Sequence, residues 1–176
     1  MRELKAKLIG TKSYGNKPVT ATDPCYDEGT WCTEVIDIEP GEYTCVAWIP
    51  VDEIVSVARC GIYRDGIISP IAHREHVGTI GVDGGLAGFY QDKPDYRDAE
   101  WKEFCDKLKK NEWEYLITEE GFCTSSGFGD GSYPVYAYKN KDGKAYALEI
   151  DFLDDIDEDE DDYYDDYDDE EDEEEN

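Results

Sequence analysis

The sequence predicts a mainly β protein, α+β at most, in which antiparallel strands form a sandwich or curved, barrel-like sheets beside one clear amphipathic helix near residues 98–111. Three observations lead to this prediction. Short runs rich in β-branched and aromatic residues recur, turns rich in Gly and Pro separate them, and only one segment has helical periodicity. Strands joined by tight turns, with no helix between them, favour antiparallel pairing over a parallel α/β sheet.

The chain begins with two short predicted strands. Residues 4–8 alternate between apolar side chains and lysine, which is typical of a half-buried strand. Residues 10–18 contain two glycines, an Asn and a Pro, so we expect a loop there. The second strand, residues 19–22, ends at Asp23-Pro24, because proline keeps the preceding residue extended and favours a turn.

The next two runs predict a hairpin. Residues 43–49 alternate between two faces, and residues 54–63 are enriched in β-branched side chains before Asp65-Gly66 ends the run. The short connection at residues 50–53 contains a proline and charged residues. We therefore expect these two strands to lie side by side and antiparallel.

A glycine pair predicts a second hairpin. Residues 79–83 and 86–90 flank Gly84-Gly85, which is a strong signal for a two-residue turn. The glycines that cluster here also have a second interpretation, because a residue without a Cβ lets another backbone or a ligand approach closely.

The C-terminal part of the β-rich region predicts a third hairpin. Residues 121–131 are expected to form a strand end and a Gly/Ser-rich loop. Residues 133–138 and 145–152 then flank an Asn-Lys-Asp-Gly turn that contains Asp142-Gly143.

The single predicted helix has signals along its whole length. Asp98 is a candidate N-cap, acidic residues lead the segment, and lysines end it, which complements the helix dipole. Its apolar residues recur at i, i+3, i+4 and i+7 and predict one buried face: Trp101, Phe104, Cys105 and Leu108.

Acidic residues dominate the charge of the chain. With 45 Asp and Glu against 17 Lys and Arg, the formal net charge is −28. Residues 154–176 hold 18 of the acids and no base, which leaves 27 acids against 17 bases, or −10, in residues 1–153. We expect a single globular β-rich domain over 1–153 and a disordered polyacidic tail over 154–176. Such charge argues against direct nucleic-acid binding and against docking on anionic membranes.

The cysteines and the N-terminal residues indicate in which cellular compartment the protein is expected. The first residues are basic but lack the apolar stretch of a signal peptide, so we expect a cytoplasmic protein. The number of cysteines is even, yet this setting favours free thiols over disulfides, and no pair has CxxC spacing.

Three Asp residues end predicted strands in Gly-rich segments: Asp23, Asp83 and Asp130. If they converge, they would repel one another unless a divalent cation, Mg²⁺ or Ca²⁺, lies between them. The alternative is that each Asp caps its own turn by accepting backbone N–H groups. No other cofactor is predicted. The candidate binding residues are Asp23, Asp83, Gly84, Gly85, Ser126, Gly129, Asp130 and Tyr133.

These segments resemble the DUF4241 family of bacterial and phage proteins of unknown function. The resemblance covers about residues 19–152 and consists of four motifs. They are the DP turn at 23–24, the P-G-x-Y turn at 40–43, the GVDGG-x-x-GF stretch at 81–89 and SSGFGDGSYPVY at 125–136. It implies a single compact domain in which these loops matter, and it implies no activity.

Two functions follow as hypotheses. The first is a non-enzymatic interaction protein, in a phage or bacterial defence or immunity setting, whose acidic tail binds a basic protein partner. The sequence has no nucleophile paired with a base, which favours this hypothesis over an enzyme. The alternative is a small metal-dependent hydrolase or a small-ligand-binding domain that uses the Asp/Gly-rich loops.

Overall fold

The computed structural model describes residues 2–64, 66 and 73–153, and these residues form two antiparallel sheets and one helix. This confirms the predicted mainly β fold class, in a sandwich-like arrangement. The predicted acidic tail, residues 154–176, lies outside the described residues. Within them, no helix has the length and apolar character that spanning a bilayer requires.

The order of the strands in the sheets differs from their order along the chain. From one edge to the other, the six-stranded sheet contains β1 (Leu4–Tyr14), β4 (Gly41–Pro50), β5 (Arg59–Tyr63), β11 (Ala145–Asp151), β10 (Gly131–Lys139) and β6 (Glu75–Val82). The five-stranded sheet contains β3 (Glu34–Ile36), β2 (Val19–Thr22), β7 (Leu86–Tyr90), β9 (Gly121–Ser125) and β8 (Tyr115–Ile117). Neighbouring strands in both sheets are antiparallel.

The main hydrophobic core lies between the two sheets. Cys45 of β4 and Ile62 of β5 belong to the same buried cluster as Val19 of β2, Phe89 of β7 and Phe122 of β9. The period-two alternation of the strands directs these side chains inward from both sheets. Burial of each large apolar side chain stabilises the fold by about 1.5–3 kcal/mol relative to exposure.

The predicted helix is confirmed as α1 (Asp98–Lys110). Its N-cap is Arg97 rather than the expected Asp98, because the Glu100 carboxylate accepts the Arg97 N–H at 3.0 Å and so completes the first turn. The buried face of α1 covers the outer side of the five-stranded sheet. The buried cluster there contains Leu86, Tyr90, Phe104, Leu108, Leu116 and Cys123.

Two predicted hairpins are confirmed with altered boundaries. β4 pairs with β5, which begins at Arg59 rather than at residue 54, and β10 pairs with β11. The prediction of a loop from residue 10 onward is wrong in part. β1 continues to Tyr14 because residues 11–14 pair with residues 41–44 at the start of β4.

The hairpin predicted at Gly84-Gly85 is wrong. β6 pairs with β10 in the six-stranded sheet, whereas β7 pairs with β2 and β9 in the other sheet. The glycine pair therefore carries the chain from one sheet to the other. Residues 126–130 do the same between β9 and β10, so two crossovers lie at the same end of the sandwich.

The outer face of the six-stranded sheet carries a network of acidic, basic and tyrosine side chains centred on Glu149. Only 2% of Glu149 is exposed to solvent. Its carboxylate accepts the Tyr63 hydroxyl at 2.7 Å and the Arg74 guanidinium at 3.1 Å. Asp151, two residues along β11, accepts Arg59 at 2.8 Å and also Arg74. We call these five residues the Glu149 network.

Candidate functional site

Three loops meet at the end of the sandwich where the crossovers lie. They are residues 23–33 after β2, residues 83–85 between β6 and β7, and residues 126–130 between β9 and β10, and we call them the loop rim. The Cys32 carbonyl accepts the Gly81 N–H at 2.9 Å, and the Gly85 carbonyl accepts the Ser126 N–H at 3.1 Å. The three segments singled out in the sequence thus lie in direct contact.

Asp23 holds two of these loops together. Its side chain is fully buried, and Oδ1 accepts the Cys25 N–H at 2.9 Å. Oδ2 accepts the Asp83 N–H at 3.0 Å and the Gly84 N–H at 2.5 Å. Three backbone donors compensate the loss of water around a buried carboxylate. Asp23 therefore caps its own turn and also fixes the crossover between the sheets.

The geometry of the crossover favours glycine at both positions. A Cβ at Gly84 would lie 3.1 and 3.2 Å from the two Asp23 oxygens and 3.2 Å from the Cys25 sulfur. Gly85 has a φ of 68°, in the left-handed region that favours glycine. The pair thus permits a close approach to Asp23 and then a sharp change of direction.

The third loop is a tight turn with its own supports. The Ser126 hydroxyl and the Tyr133 hydroxyl each donate to the Gly129 carbonyl at 2.8 Å, and the Gly129 N–H donates to the Ser126 carbonyl at 3.1 Å. Burial, together with the nearby Asp130 charge, raises the pKa of Tyr133, which keeps its hydroxyl protonated and able to donate. These residues hold Phe128 at the tip of the turn.

The three candidate metal ligands lie in different surroundings. Asp23 is buried among backbone donors, whereas Asp83 and Asp130 are exposed. Gly131 pairs with Val82, so Asp130 and Asp83 continue the same antiparallel register past the ends of β10 and β6. In the described part of the chain, no group of three His, Cys, Asp or Glu residues is arranged to hold a metal ion.

Sequence reasoning did not identify two exposed aromatic side chains on the loop rim. Trp31 is 92% exposed and Phe128 is 66% exposed. Trp31 precedes Cys32, which contacts β6, and Phe128 lies between two glycines that both have positive φ. The Gly-Phe-Gly pattern could have indicated that Phe128 is exposed, because glycines have no side chains that could cover its ring.

Of the two thiols on the loop rim, Cys25 is unsuited to nucleophilic chemistry. Burial, and next the Asp23 charge, raises the pKa of Cys25 to about 12. The thiolate is the reactive form of cysteine, so this thiol is almost wholly protonated and unreactive at neutral pH. All six cysteines are free thiols.

Comparisons with known proteins do not extend this description. No family model, curated protein or solved structure matches the chain. The resemblance to DUF4241 therefore stays a prediction.

Proposed function

We propose that this chain is a non-enzymatic interaction protein that binds a basic protein through the loop rim. The observation that supports this most is the combination of exposed Trp31 and Phe128 with Asp83 and Asp130. Neither carboxylate forms a salt bridge with a described residue. Both are therefore available to Lys or Arg residues of a partner.

The aromatic side chains and the carboxylates have different tasks in this proposal. Trp and other aromatic residues at the centre of an interface commonly supply most of the binding energy, because they bury a large area at low entropic cost. Carboxylates around them mainly raise the association rate for a positively charged partner and make it sensitive to salt. The net charge of −28 extends this attraction over the whole surface.

The acidic residues 154–176 belong to the same proposal. Their 18 carboxylates strengthen the long-range attraction for a basic partner, while the loop rim provides the specific contact. The free thiols favour the proposed cytoplasmic setting, and the resemblance to DUF4241 favours a phage or bacterial context for the interaction.

The test removes the aromatic contacts and leaves the charge unchanged. Wild-type protein, the double variant Trp31→Ala/Phe128→Ala, and the control Leu8→Ala are immobilised and exposed to a bacterial lysate, with quantitative mass spectrometry as the readout. Leu8 is 64% exposed and lies in β1, at the edge of the six-stranded sheet opposite β6. We expect a basic protein that the wild type and the control retain and the rim variant loses. Equal capture by all three proteins would contradict the proposed role of the rim.

A further inference from the structure

A second concave surface lies at the other end of β9 from the loop rim. It is formed between α1, the segment before it, and the turn that joins β8 to β9, and it has a cavity volume of about 400 Å³. We call it the α1 groove. Its lining includes two aromatic residues, three glutamates and a threonine: Tyr96, Phe104, Glu100, Glu119, Glu120 and Thr118.

The floor of the α1 groove is aromatic and held in place. The ring centroids of Tyr96 and Phe104 are 5.3 Å apart, and Phe104 stacks on Trp101 at 5.0 Å with an interplanar angle of 10°. The Lys93 ammonium already lies 4.9 Å from the centroid of the Tyr96 ring. The ring therefore attracts a cation from within the chain, as the negative face of an aromatic system does.

The walls of the groove are mainly acidic; Lys107 also lines the groove and pairs with Glu103 at 3.1 Å. Glu100 is oriented by its bond to the Arg97 N–H, and neither Glu119 nor Glu120 forms a salt bridge with any residue in the described ranges. Burial raises the pKa of Tyr96 to about 12, and the charges of Glu120 and Glu100 add to this effect. The carboxylates are therefore close enough to act on a group that lies over the ring.

One buried polar atom in the groove has no partner. Thr118 lines the groove, and its Oγ1 is buried without a hydrogen-bond partner among the described residues. Buried hydroxyls are nearly always hydrogen-bonded, and an unpaired one costs about 1–3 kcal/mol. A donor group that enters the groove would remove this cost.

We infer that the α1 groove binds one arginine side chain of the basic partner. The apolar stem packs on Phe104, the planar guanidinium stacks on Tyr96, and its N–H groups face Glu119, Glu120 and Thr118. Arginine fits this combination better than lysine, because a guanidinium stacks on aromatic rings and pairs with carboxylates in a fork. The inference rests on the proposed function for its source of arginine, but its site is separate from the loop rim.

The test uses a small probe and a neutral probe of the same shape. The full chain, labelled with ¹⁵N, is titrated with Nα-acetyl-arginine amide and, separately, with Nα-acetyl-citrulline amide, which lacks the charge. We expect saturable shifts for arginine at residues 94–104 and 117–120, with a Kd of about 1–10 mM, as suits a single side chain. Citrulline should bind at least ~5-fold more weakly, because it loses the charge-assisted bonds.

A matched pair of variants shows whether arginine binds in the groove or responds only to the overall negative charge of the protein. Glu119→Gln/Glu120→Gln removes two charges in the groove, and Glu42→Gln/Asp142→Asn removes two exposed charges outside both the groove and the loop rim. We expect the first variant to weaken arginine binding at least ~5-fold and the second to leave it within about 2-fold of wild type. Equal effects of both variants, or equal binding of citrulline, would overturn the inference.

The outcome is independent of the proposed function. A protein that captures a basic partner at the loop rim but shows no arginine shifts at the groove would refute this inference and leave the proposed function intact. Arginine shifts at the groove, with equal capture by wild-type and rim-variant protein, would support the groove and refute the role of the rim.

Discussion

Two buried carboxylates in this fold are stabilised in different ways. Glu149 is balanced by charges, since Arg74 and Arg59 surround it and Tyr63 donates to it. Asp23 is balanced by backbone dipoles, because its partners are the N–H groups of residues 25, 83 and 84. The difference indicates what each site does. The Glu149 network ties β5, β11 and the segment before β6 together, whereas Asp23 fixes the path of the chain between the two sheets.

The largest expected effect is at Glu149. Glu149→Ala removes the buried carboxylate that pairs with the guanidinium groups of Arg59 and Arg74, so we expect a loss of about 3–5 kcal/mol in the free energy of unfolding. Glu75→Ala is the control, because it removes a mostly exposed salt bridge to Lys139 on the same sheet and should cost less than ~1 kcal/mol. Urea denaturation measures both. Similar losses in the two variants would show that the network is not stabilised by its charges.

Asp23→Ala should have the next largest effect. It leaves three backbone N–H groups without their acceptor but no unpaired charge, so we expect a loss of about 2–3 kcal/mol. Asp23→Asn should lose less, because its single amide oxygen still accepts. Hydrogen exchange at the amides of residues 25, 83 and 84 should accelerate in both variants. Unchanged protection of these amides would contradict the role of Asp23 in holding the crossover.

A substitution at the partner backbone tests the same contact from the other side. Gly84→Ala places a methyl group against the Asp23 carboxylate, so we expect a loss of about 1–3 kcal/mol. Gly15→Ala is the control, because its nearest neighbouring atom would be 3.9 Å away and its φ is not positive. Thermal unfolding of both variants checks the prediction, which fails if the two melting temperatures shift equally.

The Glu149 network should also affect stability at alkaline pH. Burial and the Glu149 charge raise the pKa of Tyr63 well above its ordinary value of 10.0. The hydroxyl is protonated in both states below pH 10, so its contribution is fully present there. Above pH 10 it ionises first in the unfolded chain, and stability falls. We expect a shallower fall in Tyr63→Phe, which has no hydroxyl to ionise at this position. An identical slope from pH 9 to 11 would show that Tyr63 does not contribute.

The smallest expected effect is on the reaction rate of the Cys25 thiol rather than on the stability of the fold. With its pKa raised to about 12 by burial and Asp23, Cys25 should react with iodoacetamide at pH 8 at least ~10-fold more slowly than a free cysteine peptide. Asp23→Asn should increase that rate, since it removes the neighbouring negative charge. Mass spectrometry of the Cys25 peptide follows the reaction. Cys25 is exposed at the surface, so a fast wild-type reaction would show that its surroundings do not raise its pKa.

Local patterns in the sequence predicted the elements that depend on local interactions. α1 was predicted because its spacing and end charges are contained in 13 residues. The crossover at Gly84-Gly85 was predicted as a hairpin because a glycine pair between two strands has the same pattern in both cases. The deciding contact comes from Asp23, about 60 residues away along the chain. The Glu149 network was not predictable either, because it assembles side chains from β5, β11 and the segment before β6.

The candidate site could be predicted only in part, because it also depends on contacts between segments that are distant along the chain. The segments that contain Asp23, Gly84 and Ser126 were singled out by their Gly and Asp content, and the structure brings them into contact. Their side chains, however, are engaged in supporting the loops. The exposed rings of Trp31 and Phe128 required the fold, because exposure depends on what the rest of the chain leaves uncovered.

The position of β11 has a consequence for synthesis on the ribosome. It is the last described strand along the chain, yet it lies between β5 and β10 near the middle of the six-stranded sheet. Until residue 151 has emerged, β5 and β10 each present an unpaired edge, and such edges invite association between chains. We therefore expect the nascent chain to complete this sheet only after β11 has emerged from the ribosome. Fragments that stop before Ala145 should aggregate rather than fold.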